Sequence, residues 1–246
     1  MRAPRSSAIA SPSPDDAPVT IATTGTVYDS PMPLVVDVAV PLHLLVLIGG
    51  GEFSFGETRE IDDFLLRHLQ GPVAFLPTAS GSADYARHFG AYLGVETTNV
   101  PVYRGRDARR QKNLNAILPA GMVYLGGGVT NALLSTLRES PAEMALRDAA
   151  ANGAIVAAIG AAAACFGTHA RDMRNAGNAL PALGWLSGTV VEPAFDRNND
   201  EMLRRLMSIA GTKLGIGIPP KTAVAIRGDG STEIIGAGQV AVFRKS

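Results

Sequence analysis

Short runs of branched and aliphatic residues alternate with amphipathic segments of helical period through most of the chain beyond residue 41. Residues 42–48 are almost wholly apolar and read as a strand buried on both faces. Residues 58–70 place Ile61, Phe64, Leu65 and Leu69 on one helical face, and residues 73–76 return as a strand that Pro77 stops. Tyr85, Phe89, Tyr92 and Leu93 mark the next helix. Further strands are expected over residues 98–103, 122–125 and 154–159, with helices over 129–137 and 143–151. Alternation of this kind requires crossover helices, so the pattern predicts an α/β fold with a mainly parallel sheet covered on both faces. Residues 222–227, 233–235 and 239–243 are short strands between glycine turns, expected to finish that sheet in antiparallel fashion.

Composition divides the chain in two. Residues 1–32 are rich in Ser, Pro, Thr and Ala and cannot bury enough surface to offset their ordering entropy. Residues 1–41 are therefore expected to form an arm that associates with a partner or a second copy, with 19–22 and 34–40 as segments able to pair as strands. Residues 42–246 form the expected domain. The 246 residues carry 22 basic and 22 acidic side chains. That balance supplies no electrostatic footprint for nucleic acid or an anionic membrane surface. No apolar run is long enough to span a bilayer as a helix. One cysteine, Cys165, excludes an internal disulfide framework and a multi-cysteine zinc site. His43, His68 and His88 lack a metal-ligand spacing, so no metal or cofactor is expected. Residues 8–10 are too short for a signal-peptide core, and a cytoplasmic location is the expectation.

In an open α/β sheet the site lies beyond the carboxyl ends of the strands. Four junctions carry small residues there: Gly49-Gly50-Gly51-Glu52, Pro77-Thr78-Ala79-Ser80, Gly126-Gly127-Gly128, and Gly160-Ala161-Ala162-Ala163-Ala164-Cys165. A strand running through tiny residues into a helix is the geometry of a nucleophile elbow. Here the elbow has no nucleophile at its tip. Other clusters have plainer readings. Asp62 with Asp63, and Asn198-Asn199-Asp200-Glu201, suit helix caps and dipole partners, and residues 104–110 suit a solvated basic loop. His169, Arg171 and Arg174 suit a helix end. No G-K-[ST] follows Gly128, which argues against a nucleotide loop.

The order and spacing of Leu47-Ile48-Gly49-Gly50-Gly51-Glu52, Phe75-Leu76-Pro77-Thr78-Ala79-Ser80 and Gly126-Gly127-Gly128-Val129-Thr130-Asn131 resemble the peptidase E and cyanophycinase family. The resemblance continues through residues 185–195 and 215–218 and covers about 42–244. It implies a three-layer α/β/α sandwich, flavodoxin-like and related to class I glutamine amidotransferase domains. Members are usually dimeric, and an elbow serine attacks a peptide bond near an acidic residue.

This chain departs from that pattern where the chemistry resides. Aligning the family's G-x-S-A-G with residues 160–164 puts Ala162 at the serine, Ala194 stands at the histidine before Phe195, and Pro220 lies where an acidic residue is common. A methyl group cannot attack a carbonyl, and without imidazole no base activates another group. Backbone donors at Gly127, Gly128 and Ala163 do not depend on side chains and remain candidates for an oxyanion or ligand site. The first expectation is a pseudoenzyme with a structural, regulatory or ligand-binding role, self-associating or paired with an active paralogue, and able to hold a small peptide or carboxylate. The alternative is an active serine- or cysteine-type hydrolase of Asp-containing peptides or cyanophycin-like substrates. In it, Cys165 and His169, four residues apart on one helical face, replace the lost groups.

Overall fold

The computed structural model describes residues 24–27, 34–81, 84–175 and 177–245. The first half contains β1 (Thr24–Val27), β2 (Leu44–Ile48), α1 (Arg59–His68), β3 (Val73–Leu76), α2 (Asp84–Leu93), β4 (Thr97–Asn99), α3 (Gln111–Ile117) and β5 (Met122–Leu125). It continues with α4 (Thr130–Leu137), α5 (Pro141–Ala151), β6 (Ile155–Ile159), α6 (Ala161–Ala164), β7 (His169–Arg171) and β8 (Ala179–Pro181). The last part holds β9 (Thr189–Pro193), α7 (Glu201–Ser208), β10 (Leu214–Ile218), β11 (Thr222–Arg227), β12 (Thr232–Gly236) and β13 (Ala241–Arg244).

The main sheet has seven strands in the order β12-β11-β2-β6-β5-β3-β4. The five strands from β2 to β4 run parallel, while β11 and β12 close the other edge antiparallel. Alternate residues of β2 serve opposite faces, which is why its sequence is apolar without a break. Leu44, Val46 and Ile48 pack with Ile61, Phe64 and Leu65 of α1 and Phe89 of α2. Leu45 and Leu47 pack into a second core with residues of α3, α4, α5 and α6. Helices therefore cover both faces, as the sequence predicts. Each large side chain moved from water into these cores contributes about 1.5–3 kcal/mol.

The expected boundaries shift where tertiary contacts overrule local pattern. The strand expected over 98–103 is three residues long, and buried Val100 and Val102 follow it outside the ladder. The helix expected from 143 begins at Pro141, because Ser140 caps it by accepting the Glu143 N–H through its side chain. The terminal strands do not all finish one sheet. β13 pairs with β10 and β1 in a second sheet ordered β1-β13-β10-β9. Pro219 and Pro220 lie between β10 and β11 and offer no N–H for a ladder, so the chain changes sheets there.

The division at residue 41 is also displaced. Leu34, Val36 and Val40 are buried in the same core as Leu45 and Leu47. Residues 34–40 make isolated bridges, Val35 to Ser231 and Val38 to Leu186, instead of a strand. β1 pairs in register with β13, Thr24 opposite Arg244. The chain from 34 onward is thus part of the domain, held by burial that composition alone conceals. Residues 19–22 lie outside the described residues. Among the described residues no helix is long and apolar enough to cross a membrane.

Candidate functional site

Parallel strands deliver their following turns to one side of the sheet. The carboxyl ends of β2, β3, β5 and β6 open there into a cleft of about 470 Å³, lined by Gly50, Gly51, Ser80, Tyr85, His88, Gly126, Gly127 and Ile159. All four junctions singled out in the sequence contribute to it or adjoin it.

On one side β6 turns into α6 at Gly160, whose φ of 58° and ψ of −128° are accessible to an L residue only under strain. That sharp strand-to-helix bend is where a nucleophile elbow presents its side chain. Ala162, expected at that place, instead lies within α6, fully buried in the core. The tip is Gly160, two residues earlier. A glycine followed by four alanines contains nothing that fixes the register of a G-x-S-A-G motif, whereas the backbone turn does. A Cβ added at Gly160 meets nothing within 4 Å, so the tip faces open space and carries no side chain.

The expected donor at Ala163 is also displaced. Its N–H is committed to Gly160 O at 2.8 Å. The N–H next after the tip belongs to Ala161 and has no acceptor among the described residues. Cys165 and His169 form no pair, because the helix ends at Ala164 and His169 lies on β7. The thiol is fully buried, donates to Ala161 O at 3.2 Å, and is pushed well above its ordinary pKa by burial. Arg171 and Arg174 are not at a helix end either. Arg171 pairs through Nη2 with Oε1 of buried Glu192, whose pKa burial raises against the opposing pull of Arg171. The Arg174 N–H donates to Asp172 Oδ1, and Asn131 binds the same carboxyl, tying α4 to the loop after β7.

Three consecutive carbonyls at the end of β2 organise this side. Ile48 O accepts from Gly160 N at 2.9 Å, Gly49 O from Ala194 N at 2.7 Å, and Gly50 O from Lys221 N at 2.8 Å. Ala194 and Lys221 have φ of 50° and 62°, so each of the three donors sits in an unusual backbone conformation. Gly49 admits no side chain, since an added Cβ would lie 2.2 Å from Pro219 O. The backbone thus gathers the elbow tip, the Ala194 turn and the 219–221 loop around one turn of β2. None of Gly160, Ala194 and Pro220 carries a group able to attack, accept or relay a proton. Lys221 is engaged with Glu57 at 2.8 Å and holds that carboxyl below its usual range.

The opposite side is built by the β5 turn and α2. Gly126 and Gly128 are required by packing, because an added Cβ would come within 2.9 Å of the Phe75 ring at 126 and 2.2 Å of Ala79 O at 128. The N–H groups of Gly127 and Gly128 have no acceptor among the described residues. Tyr85 stands edge-on to Phe53 at 4.9 Å, and burial, with the nearby charges of Glu52 and Asp62, raises its pKa so that the hydroxyl stays protonated. Behind it Asp62 is 2% exposed and titrates at about 6 because burial outweighs the hydrogen bond from Thr58 Oγ1 at 2.7 Å. Asp62 therefore lies in the first turn of α1, as expected of a dipole partner, but as a buried acid and not as the cap. Residue type marks neither His88, which reaches the cleft from α2, nor Gly160, which its backbone conformation alone distinguishes. No group of three or more His, Cys, Asp or Glu is arranged to hold a metal among the described residues.

Comparison with known proteins agrees with the architecture. The chain is 32% identical over 164 residues to the "Uncharacterized peptidase YgaJ" of Bacillus subtilis (strain 168), covering 63% of this chain and 70% of that protein. The crystal structure of a peptidase from an acI-B1 Actinobacterium superposes with a TM-score of 0.66 at 23% identity, over 81% of this chain and 89% of the other. A putative peptidase E protein from Listeria monocytogenes EGD-e superposes with a TM-score of 0.57 at 17% identity, over 80% of this chain and all of the other. At these identities the two structures speak for the fold. The sequence profile of Peptidase family S51 matches residues 45–234, and the chain belongs to that family.

Proposed function

We propose that this family member is a catalytically silent binding protein, a pseudoenzyme that uses the peptidase cleft without cleaving a peptide bond. The observation that carries the reading is the set of three backbone-defined positions around Ile48, Gly49 and Gly50. The chain presents Gly160 at the tip, Ala194 at the turn after β9, and Pro220 before Lys221. Acyl transfer needs a nucleophile and a base within hydrogen-bond reach of each other, and these positions supply neither. The competing hydrolase reading through Cys165 and His169 is disfavoured by the buried thiol and by the strand that carries His169.

The test is hydrolysis by the purified protein of Asp-containing dipeptides and of cyanophycin, followed by amine release. No turnover is expected for the native chain or for Gly160→Ser alone, while Gly160→Ser with Ala194→His gains measurable acyl-enzyme formation with an activated ester. Turnover by the native chain that survives rigorous purification overturns the proposal. We further propose that the protein works as a homo-oligomer or beside an active paralogue in the cytoplasm. Co-purification from the native cell tests the partner, and light scattering tests the oligomer.

A further inference from the structure

The two edges of the main sheet are treated differently. At β12 the edge is covered: the Val36 N–H donates to Gly230 O at 3.0 Å, Val35 bridges to Ser231, and the Thr232 hydroxyl donates to Leu34 O at 2.6 Å. At β4, the other end of the strand order, no strand lies beyond among the described residues. Proteins cover or pair such an edge, because its N–H and C=O groups otherwise stand ready for another chain.

The ladder with β3 fixes which groups these are. The Val73 N–H donates to Glu96 O and the Val100 N–H to Phe75 O, both at 2.9 Å, so residues 96, 98 and 100 serve β3 and the main-chain groups of Thr97 and Asn99 point the other way. These two residues flank Thr98 symmetrically. An antiparallel copy of β4 related by a twofold axis at Thr98 sets Thr97 opposite Asn99 twice, and each pair exchanges two N–H···O bonds. The charges agree with this direction. Glu96 stands exposed at the amino end of β4, and Arg104, Arg106, Arg109 and Arg110 are exposed beyond its carboxyl end. Arg106 and Arg110 share the buried carboxylate of Asp107, while Arg104 and Arg109 have no ion-pair partner among the described residues. Antiparallel pairing brings the acidic end of each strand toward the basic end of the other, whereas parallel pairing opposes like charges.

The surface beside this edge leaves room for the approach. A groove of about 390 Å³ runs between α2 and β4, lined by the small residues Ala86, Gly90 and Ala91 of the helix and by Val95, Thr97 and Asn99. Asn99 Oδ1 is buried there with no hydrogen-bond donor among the described residues, an unmet acceptor beside an unmet edge. Resting on the homo-oligomer proposed above, we infer that two copies join edge to edge through β4, related by a twofold axis at Thr98, so that their main sheets become continuous. α2 turns Tyr85 and His88 to the cleft and Gly90 and Ala91 to the groove, so the second copy packs behind the cleft wall.

Thr98 decides it, because its side chain is exposed and its neighbour across the axis is its own copy. The two form a non-hydrogen-bonded pair, whose Cα atoms approach to about 4.5 Å, within the span of a disulfide. Thr98→Cys is therefore expected to give a disulfide-linked dimer on mild oxidation, while Glu233→Cys, exposed on β12 at the other edge, stays unlinked. By light scattering the native chain is expected to have the mass of two copies. Thr98→Lys is expected to raise the dimer dissociation constant at least about tenfold, since two ammonium groups then face each other, with its circular dichroism unchanged. A native dimer that is linked by Glu233→Cys, stays unlinked as Thr98→Cys or survives Thr98→Lys overturns the β4 surface and leaves the oligomer standing. A native monomer overturns the oligomer with it, so the two failures are distinguishable.

Discussion

The two sides of the cleft differ in what specifies them. Around Gly160, Ala194 and residues 219–221 the backbone is highly specified, with three unusual conformations pinned to three consecutive carbonyls, yet the side chains are inert. Along α2 the backbone is an ordinary helix, and the side chains of Tyr85 and His88 line the cleft. Backbone geometry at the elbow is enforced by packing, so it persists whether or not a nucleophile stands on it.

The comparison can be broken most directly at the packed glycines. Gly128→Ala should cost about 3 kcal/mol or more, because the φ of 148° and the 2.2 Å approach of Ala79 O both oppose a Cβ. Denaturant unfolding checks this, and a loss below about 1 kcal/mol would mean that the glycine turn is not held by packing. Next in size, a cysteine at the tip separates the two candidate elbow positions. In a Cys165→Ser background, Gly160→Cys should react with a disulfide reagent as an accessible thiol, and Ala162→Cys on the order of a hundredfold more slowly. Equal labelling would return the elbow tip to Ala162.

Asp62 tests the opposite side. Its folded-state pKa of about 6 lies above its ordinary 3.8, so the folded protein holds an extra proton between these values. Its contribution is therefore fully favourable below about pH 4 and is lost as pH rises through 6. Asp62→Asn should raise stability at pH 7 by about 2 kcal/mol and flatten the slope between pH 4 and 6. Urea titrations across that range decide it, and an unchanged slope would show that Asp62 is not the buried acid responsible. The smallest effect belongs to the exposed pair Glu201 and Arg205, 2.9 Å apart on α7. Glu201→Ala should change stability by less than about 0.5 kcal/mol, and a larger loss would give the surface a weight that the two-sided comparison assigns to the cleft.

Much of the architecture is legible in the pattern of residues. Runs such as Leu44–Ile48 and Met122–Leu125 are apolar on both faces, and alternation with helical segments leaves few topologies for a parallel sheet. The glycine triplets likewise mark the strand ends that line the cleft. The site is legible to the level of the turn and no finer. A string of alanines records that the β6-to-α6 bend is tight, but the position of the strained residue within it depends on where β6 stops pairing. For the same reason the pattern assigns His169 to a helix that ends five residues earlier.

The sequence by itself determined the fold class and the four informative junctions, because periodicity and residue type are local properties. Tertiary structure decided the rest: that residues from 34 onward join the core, that β13 leaves the main sheet, that Cys165 is buried, and that the β6-to-α6 bend turns at Gly160. Each of these depends on which distant backbone groups meet, as when Ile48, Gly49 and Gly50 receive donors from three separate turns. Residue type and spacing do not encode such meetings; only the closed hydrogen-bond geometry of the folded chain fixes them.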